Sequence, residues 1–174
     1  MATQLTGLLN HRRQRAERAE DAEAASRRRQ EEFELAHLVE LNGLLHEYVG
    51  TLPPLAGALR TYWARAQELT VTERDAAFPH EAMTATTAAA RAVRSQIGFI
   101  LPGEARQRVT EAYEAVDLAS ADLLLNDEGP DFGVMGTQMN KAYEALSARV
   151  REIYAGQANR STGRTLATPS TRRA

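Results

Sequence analysis

The sequence offers one motif with metal-ligand spacing, and it is incomplete. Glu34 and His37 form an E-x-x-H pair on one face of a predicted helix. Di-iron carboxylate bundles need two such motifs and two further inward glutamates. None of the other histidines has a glutamate three residues upstream, so we predict no metal site and no cofactor. Glu34 and His37 are instead expected to be solvated neighbours at the rim of a bundle.

The other candidate sites also fail on spacing. An EF-hand loop starting at Asp127 would need glycine at its sixth position, where Phe132 stands. Glycines precede the last helix but follow no strand, so phosphate-binding spacing is not met. The chain has no cysteine and no G-x-S-x-G elbow. We therefore predict no catalytic residue, while sites assembled from distant residues leave an enzyme or ligand-binding bundle as an alternative.

The residues that stand out form a charged helical segment. From His11 to Glu32 the chain has no Leu, Ile, Val, Met or aromatic residue, and from Phe33 to Leu52 it carries an apolar face. A helix that is polar all round must project, pair with a partner or lie on a surface. Its arginines are our candidate contacts with a partner or with lipid headgroups: Arg12, Arg13, Arg15, Arg27, Arg28 and Arg29.

Helical spacing recurs in every long segment, which predicts an all-α fold. We expect an antiparallel bundle of four to five helices with a long projecting N-terminal helix. The first helix should begin near Gly7 and end before Pro53, because Pro53 and Pro54 break helices. No sustained heptad seam is expected after the charged segment. Thr70 and Glu73 have capping-box spacing. A second helix is predicted from Pro54 to about Leu69, and three further helices at about 81–101, 104–126 and from 135 to Ala155. The inward residues predicted on these three are Met83, Thr86, Ala90, Val93, Ile97 and Ile100, then Ala105, Val109, Ala112 or Tyr113, Val116, Ala119 and Leu123, and last Met135, Met139, Ala142, Leu146, Val150 and Ile153.

These helices give three predicted regions. Residues 1–32 form a charged stalk helix, residues 33–155 a bundle domain and residues 156–174 a disordered basic tail. The bundle has a net charge of −7, which argues against general nucleic-acid binding, although a small DNA-associated regulator remains an alternative. The lack of cysteine favours the cytoplasm.

Residues 5–32 resemble the juxtamembrane stalk of small membrane-anchored helical proteins of unknown function from GC-rich bacteria. The resemblance is carried by Leu5, Leu8 and Leu9 followed at once by an arginine cluster and a Glu-rich helix. It implies a cytoplasmic body, peripheral to or anchored at the inner face of the membrane. The span itself is missing from this sequence. We predict a non-catalytic interaction or scaffolding protein that meets a protein partner, its own copy or an anionic membrane surface.

Overall fold

The protein is all-α, as predicted. The computed structural model describes the backbone of residues 2–100, 103–125 and 130–166, and the side chains of residues 14–100, 103–125 and 130–160. No strand occurs within these ranges. The helices are α1 (Ala2–Ala66), α2 (Val71–Ala77), α3 (His80–Ile97), α4 (Glu104–Leu125) and α5 (Phe132–Leu166).

The chain divides into two compact units, Met1–Ala36 and His37–Ala174. The first unit contains the N-terminal part of α1. The second contains the remainder of α1 and all of α2 to α5. The boundary that we predicted between Glu32 and Phe33, on grounds of composition, stays a prediction.

Within the second unit the long helices run antiparallel. Gln96, at the end of α3, donates a hydrogen bond to Glu40 near the start of this part of α1, at 3.3 Å. At the opposite end, the rings of Tyr62 and Phe78 lie 5.3 Å apart. Ala105 at the start of α4 and Ala148 at the middle of α5 line one cleft, far from the loop that joins the two helices. The second unit is therefore an antiparallel helical bundle.

A continuous heptad seam holds α1 in this bundle, contrary to our expectation. Seven side chains at alternating spacings of three and four residues are each at most 2% exposed. Heptad spacing is the pattern that keeps one stripe of a helix facing its neighbours. Tyr48 and the proline pair obscured the pattern in the sequence. The seam consists of Leu38, Leu41, Leu45, Tyr48, Leu52, Leu55 and Leu59.

Pro53 and Pro54 do not end α1, so our predicted helix boundary was wrong. The helix continues through both prolines to Ala66. Each proline removes one helical hydrogen bond and crowds a carbonyl one turn back, at a cost of about 3 kcal/mol. Both prolines are exposed, so water can reach that side of the helix. The buried leucines on either side, worth about 1.5–3 kcal/mol each, keep the two halves aligned against the bundle.

Glycines also recur on the exposed side of α1, at seven-residue spacing. Gly43, Gly50 and Gly57 lie in the middle of the helix, away from its two ends. No described atom from elsewhere in the protein lies within 4 Å of the position that a Cβ would occupy at any of them. Packing among the described residues therefore gives no reason for glycine at these positions.

The capping box predicted before α2 is confirmed. The backbone N–H of Thr70 donates to Glu73 Oε2 at 2.8 Å, and the N–H of Glu73 donates to Thr70 Oγ1 at 3.4 Å. The Thr70 hydroxyl also donates to Glu73 Oε2, at 2.6 Å. This bond, together with the one from the Thr70 backbone N–H, holds the pKa of the Glu73 carboxyl below its usual value. The short helix thereby connects α1 to α3 with its N-terminus capped.

The inward faces predicted for the later helices largely match the buried residues. On α3, Thr86 and Val93 are buried as predicted, and Ala89 is buried where we expected Ala90. On α5, Val150 is only half-buried. The predicted residues that are buried on α4 and α5 are Ala105, Val109, Ala112, Val116, Ala119, Met135, Met139, Ala142, Leu146 and Ile153.

Both ends of α5 differ from our prediction. The helix begins at Phe132, where the Asp131 carboxylate accepts hydrogen bonds from the N–H groups of Gly133 and Val134 at 2.9 and 3.2 Å. It continues past Ala155 to Leu166. The lack of apolar residues after Ala155 suggested a tail, yet the helix continues through glycine, asparagine, serine and threonine, which are weak helix formers. Residues 167–174 lie outside the described residues.

Candidate interaction surface

The charged part of α1 exposes its side chains on every side. Between residues 14 and 33 no side chain is buried, and only Ala24 and Glu31 are half-buried. Phe33, the first large apolar residue after the charged segment, is 51% exposed. This segment is helical with almost no burial, so alanine content and charged neighbours must supply much of its helix stability.

The predicted contact arginines are partly within the described side chains. Arg15, Arg27, Arg28 and Arg29 are all exposed. The side chains of Arg12 and Arg13 lie outside the described residues. Exposure leaves the four described guanidinium groups accessible to a partner surface.

Charges of opposite sign are segregated along this segment. Glu17, Glu20, Asp21 and Glu23 form an acidic block, and with Arg18 between them residues 17–23 have a net charge of −3. Residues 27–29, all arginine, form a basic block with a charge of +3. The acidic block and the basic block follow each other along one exposed helix. Because their charges cancel, the net charge of the whole segment does not reveal them.

The E-x-x-H pair is not a pair of solvated neighbours. Glu34 is only 4% exposed, so our expectation of a solvated carboxylate was wrong. It lies one helical turn before Leu38, in the register of the seam. The His37 ring is half-buried and packs on Phe99, with centroids 5.1 Å apart. Within the described part of the chain, no group of three or more metal-ligating side chains comes together.

Polar side chains do meet between the helices of the second unit. The Tyr48 hydroxyl donates to Asp117 Oδ1 at 3.3 Å, and its ring lies 6.0 Å from that of Tyr113. Burial, and then the nearby carboxylate, raise the pKa of Tyr48 well above its ordinary value. Asp117 therefore accepts a hydrogen bond from a buried phenol, which joins α1 to α4 and satisfies a polar group in the core.

A second contact joins α1 to α5. His46 Nδ1 lies 2.9 Å from the Tyr143 hydroxyl, and the two rings are 5.7 Å apart. Burial raises the pKa of Tyr143. The pair occupies one exposed edge of the helix contact, where it fixes the rotation of α1 relative to α5.

Aromatic rings cluster where α1, α2 and α3 meet. The Tyr62 ring lies 4.7 Å from Trp63 and 5.3 Å from Phe78, and Phe78 lies 5.0 Å from His80. Trp63 remains 51% exposed. The edge-to-face arrangement stabilises the turn between the helices.

A shallow cleft of about 230 Å³ lies at the other end of the bundle. Its charged lining residues are Glu104, Arg149 and Glu152. Arg149 is bound to Glu152 at 3.0 Å, and Glu104 lies 3.7 Å from Arg108. These pairs are local to single helices, and they neutralise charge within the cleft.

None of the helices, within the described ranges, contains a stretch with the length and hydropathy that a bilayer crossing requires. Comparison with protein-family models, curated proteins and solved structures gives no match, so the functional argument rests on the residues of this chain.

Proposed function

We propose that this protein is a non-catalytic interaction or scaffolding protein whose charged N-terminal helical segment is its contact surface. The observation that carries this proposal is the absence of any buried side chain between residues 14 and 33, within the described part of a regular helix. A helix that is polar all round gains nothing from packing on a core, so its whole surface is accessible to another molecule.

The second unit supports a structural role for the body. Its polar contacts between helices join Tyr48 to Asp117 and His46 to Tyr143. Each contact links α1 to another helix and fixes its position in the bundle. The body thereby provides a stable base for the charged segment. The resemblance of residues 5–32 to a juxtamembrane stalk adds the expectation that the contact is made at the cytoplasmic face of a membrane.

Site-specific photo-crosslinking in the cells that produce the protein tests this function. A photoreactive amino acid at the exposed Ser26 should give a discrete protein adduct, whereas one at the exposed Thr84 of α3 serves as the matched control and should give none. No adduct from Ser26, or the same set of adducts from both positions, would contradict the proposal. Adducts with lipid alone would replace the protein partner by a membrane surface.

A further inference from the structure

Apolar side chains are exposed along one edge of the α4–α5 pair. Leu118 and Leu125 of α4 are 63% and 80% exposed, and Val134 of α5 is 54% exposed. The two leucines are seven residues apart, or about two helical turns, so they lie on the same side of α4. Ala121 lies between them. The described residues leave this side of the helix uncovered.

The register of the antiparallel pair brings Val134 to the same edge. A hydrogen bond from Gln107 lowers the pKa of Glu111 most, and the charge of Lys141 on α5 also lowers it, so Glu111 and Lys141 face each other. Leu118 follows Glu111 by seven residues along α4. Val134 precedes Lys141 by seven residues along α5. Because the helices run in opposite directions, Leu118 and Val134 stand level with each other, about two turns from the charged pair and on the same side.

The apolar edge, formed by Leu118, Leu125 and Val134, has an acidic rim. Between Val109 and Leu125, α4 has four acidic residues, one of them facing the lysine of α5, and no basic residue, which gives a charge of −4. Glu114, about one turn before Leu118, is exposed. The same edge of a second copy would therefore be repelled, and so would an anionic lipid surface. An apolar patch with a polar rim marks an interaction site, and this one favours a partner that combines apolar and basic side chains.

The N-terminal end of α1 combines these residue types. Residues 5–15 have three leucines followed by three arginines and no acidic residue, a charge of +3, and their backbone is helical. Leu5, Leu8 and Arg12 stand at spacings of three and four residues, which is the spacing of one helix face. Leu5 and Arg12 are about 10 Å apart along the axis, as are the two exposed leucines of α4. An amphipathic helix that lays its apolar face on a groove is a recurrent mode of recognition.

We propose that residues 5–15 of one copy dock on the apolar edge of a second copy. This inference rests on the proposed function and names the partner of the N-terminal end of α1. The two surfaces differ, so one contact leaves a free segment on one chain and a free edge on the other. The ion pairs around the leucines are exposed and screened by salt, so the dissociation constant should rise at least about threefold between about 50 mM and about 500 mM salt.

Complementation between two full-length variants tests the docking by analytical ultracentrifugation at low salt. One variant carries Leu118→Glu and Leu125→Glu, and the other carries Leu5→Glu, Leu8→Glu and Leu9→Glu. The wild type should assemble as its concentration rises, whereas each variant alone should be a monomer with a cooperative thermal transition. An equimolar mixture should form a dimer of one chain of each kind, because one intact segment meets one intact edge. A monomeric wild type, assembly of either variant alone, or a mixture that stays monomeric would overturn the proposal.

The matched control for the edge is Val71→Glu, at an apolar residue of α2 that is 83% exposed. This variant should assemble like the wild type. Loss of assembly in Val71→Glu would show that the effect of an added charge is not specific to the apolar edge, and would overturn the docking there.

Disulfide formation tests the place of contact independently, since the chain has no cysteine of its own. A chain with Leu8→Cys mixed with a chain with Val134→Cys should form a disulfide-linked heterodimer. Thr84→Cys in place of Val134→Cys, at an exposed residue of α3, should form none. Equal cross-linking at both positions would overturn the proposal. If the wild-type chain is monomeric while Ser26 still cross-links to a different protein, the docking fails and the proposed function stands.

Discussion

Residues 14–32 and residues 38–59 belong to the same helix, α1, and are helical for different reasons. The first stretch has no buried side chain. The second buries seven side chains at heptad spacing and stays helical through two consecutive prolines. Packing can therefore hold a helix against strong local breakers, whereas alanines and charged neighbours suffice where no breaker is present. The first stretch leaves its surface available for a partner, and the second contributes its surface to the fold.

A charge placed in the seam should give the largest effect. Leu45 is fully buried, so Leu45→Asp places a carboxylate in the core without a partner. We expect loss of cooperative thermal unfolding and of the near-ultraviolet circular dichroism signal. Ala22→Asp, in the exposed stretch of the same helix, is the control and should leave the unfolding transition in place. A cooperative Leu45→Asp variant would show that the seam is not the core.

The seam beyond the prolines is tested by Leu55→Ala. Leu55 is fully buried just after the proline pair, and a leucine-to-alanine change at such a site costs about 2–5 kcal/mol. Leu118→Ala, at a leucine that is 63% exposed, should stay within about 0.5 kcal/mol of the wild type. Urea unfolding followed by circular dichroism measures both. Equal effects would mean that α1 is not packed after Pro54.

The Tyr48 hydroxyl gives a smaller, pH-dependent effect. Because the folded state raises the pKa of Tyr48, the folded state favours the neutral phenol. The stability of the native state is then unaffected below the unfolded pKa of about 10 and falls as pH rises above it. Tyr48→Phe removes this pH dependence together with the hydrogen bond to Asp117. It should lower the free energy of unfolding by about 0.5–1.5 kcal/mol at neutral pH.

The free energy of unfolding should be measured for the wild type and for Tyr48→Phe between about pH 8 and about pH 11. The difference below about pH 10 reports the hydrogen bond to Asp117, and its change above about pH 10 reports the ionisation of Tyr48. The wild type should lose stability more steeply above about pH 10 than the phenylalanine variant. Parallel curves would contradict the buried, hydrogen-bonded hydroxyl.

The smallest effect is expected from removing residues 1–28. Side chains 14–28 bury almost nothing, so the thermal midpoint should stay close to that of the full chain, while the helical signal falls with the number of residues removed. Differential scanning calorimetry provides the midpoint. A large decrease would show that the charged stretch contributes to the core.

Most of the fold could be predicted from the spacing of apolar residues, because the apolar stripes on α4 and α5 are the faces that these helices bury. Val109, Val116 and Leu146 are examples of predicted inward residues that are buried. Capping could also be predicted at Thr70, because its signal is local. The continuation of α1 past Pro53 and of α5 past Ala155 could not be predicted. At Pro53 a strong local preference was overridden by packing on both sides, and after Ala155 a helix continues without the apolar residues that we looked for.

Only part of the candidate surface could be predicted from the sequence. Exposure of Arg15 and Arg27–Arg29 follows from the absence of apolar neighbours. The burial of Glu34 does not, because a glutamate beside a charged segment resembles its solvated neighbours. The seam register would have identified it, since Glu34 lies four residues before Leu38.

The glycines on the exposed side of α1 have a consequence for how the protein tolerates mutation. Alanine at Gly43 or Gly57 would meet open space and would lower the backbone entropy of the unfolded chain, a gain of about 0.5–1 kcal/mol each. A single such replacement could compensate a typical destabilising substitution elsewhere in the chain, since those centre near 1 kcal/mol. The α1 helix therefore holds an accessible route to second-site suppression, in which a change far from a damaged residue restores a folded protein.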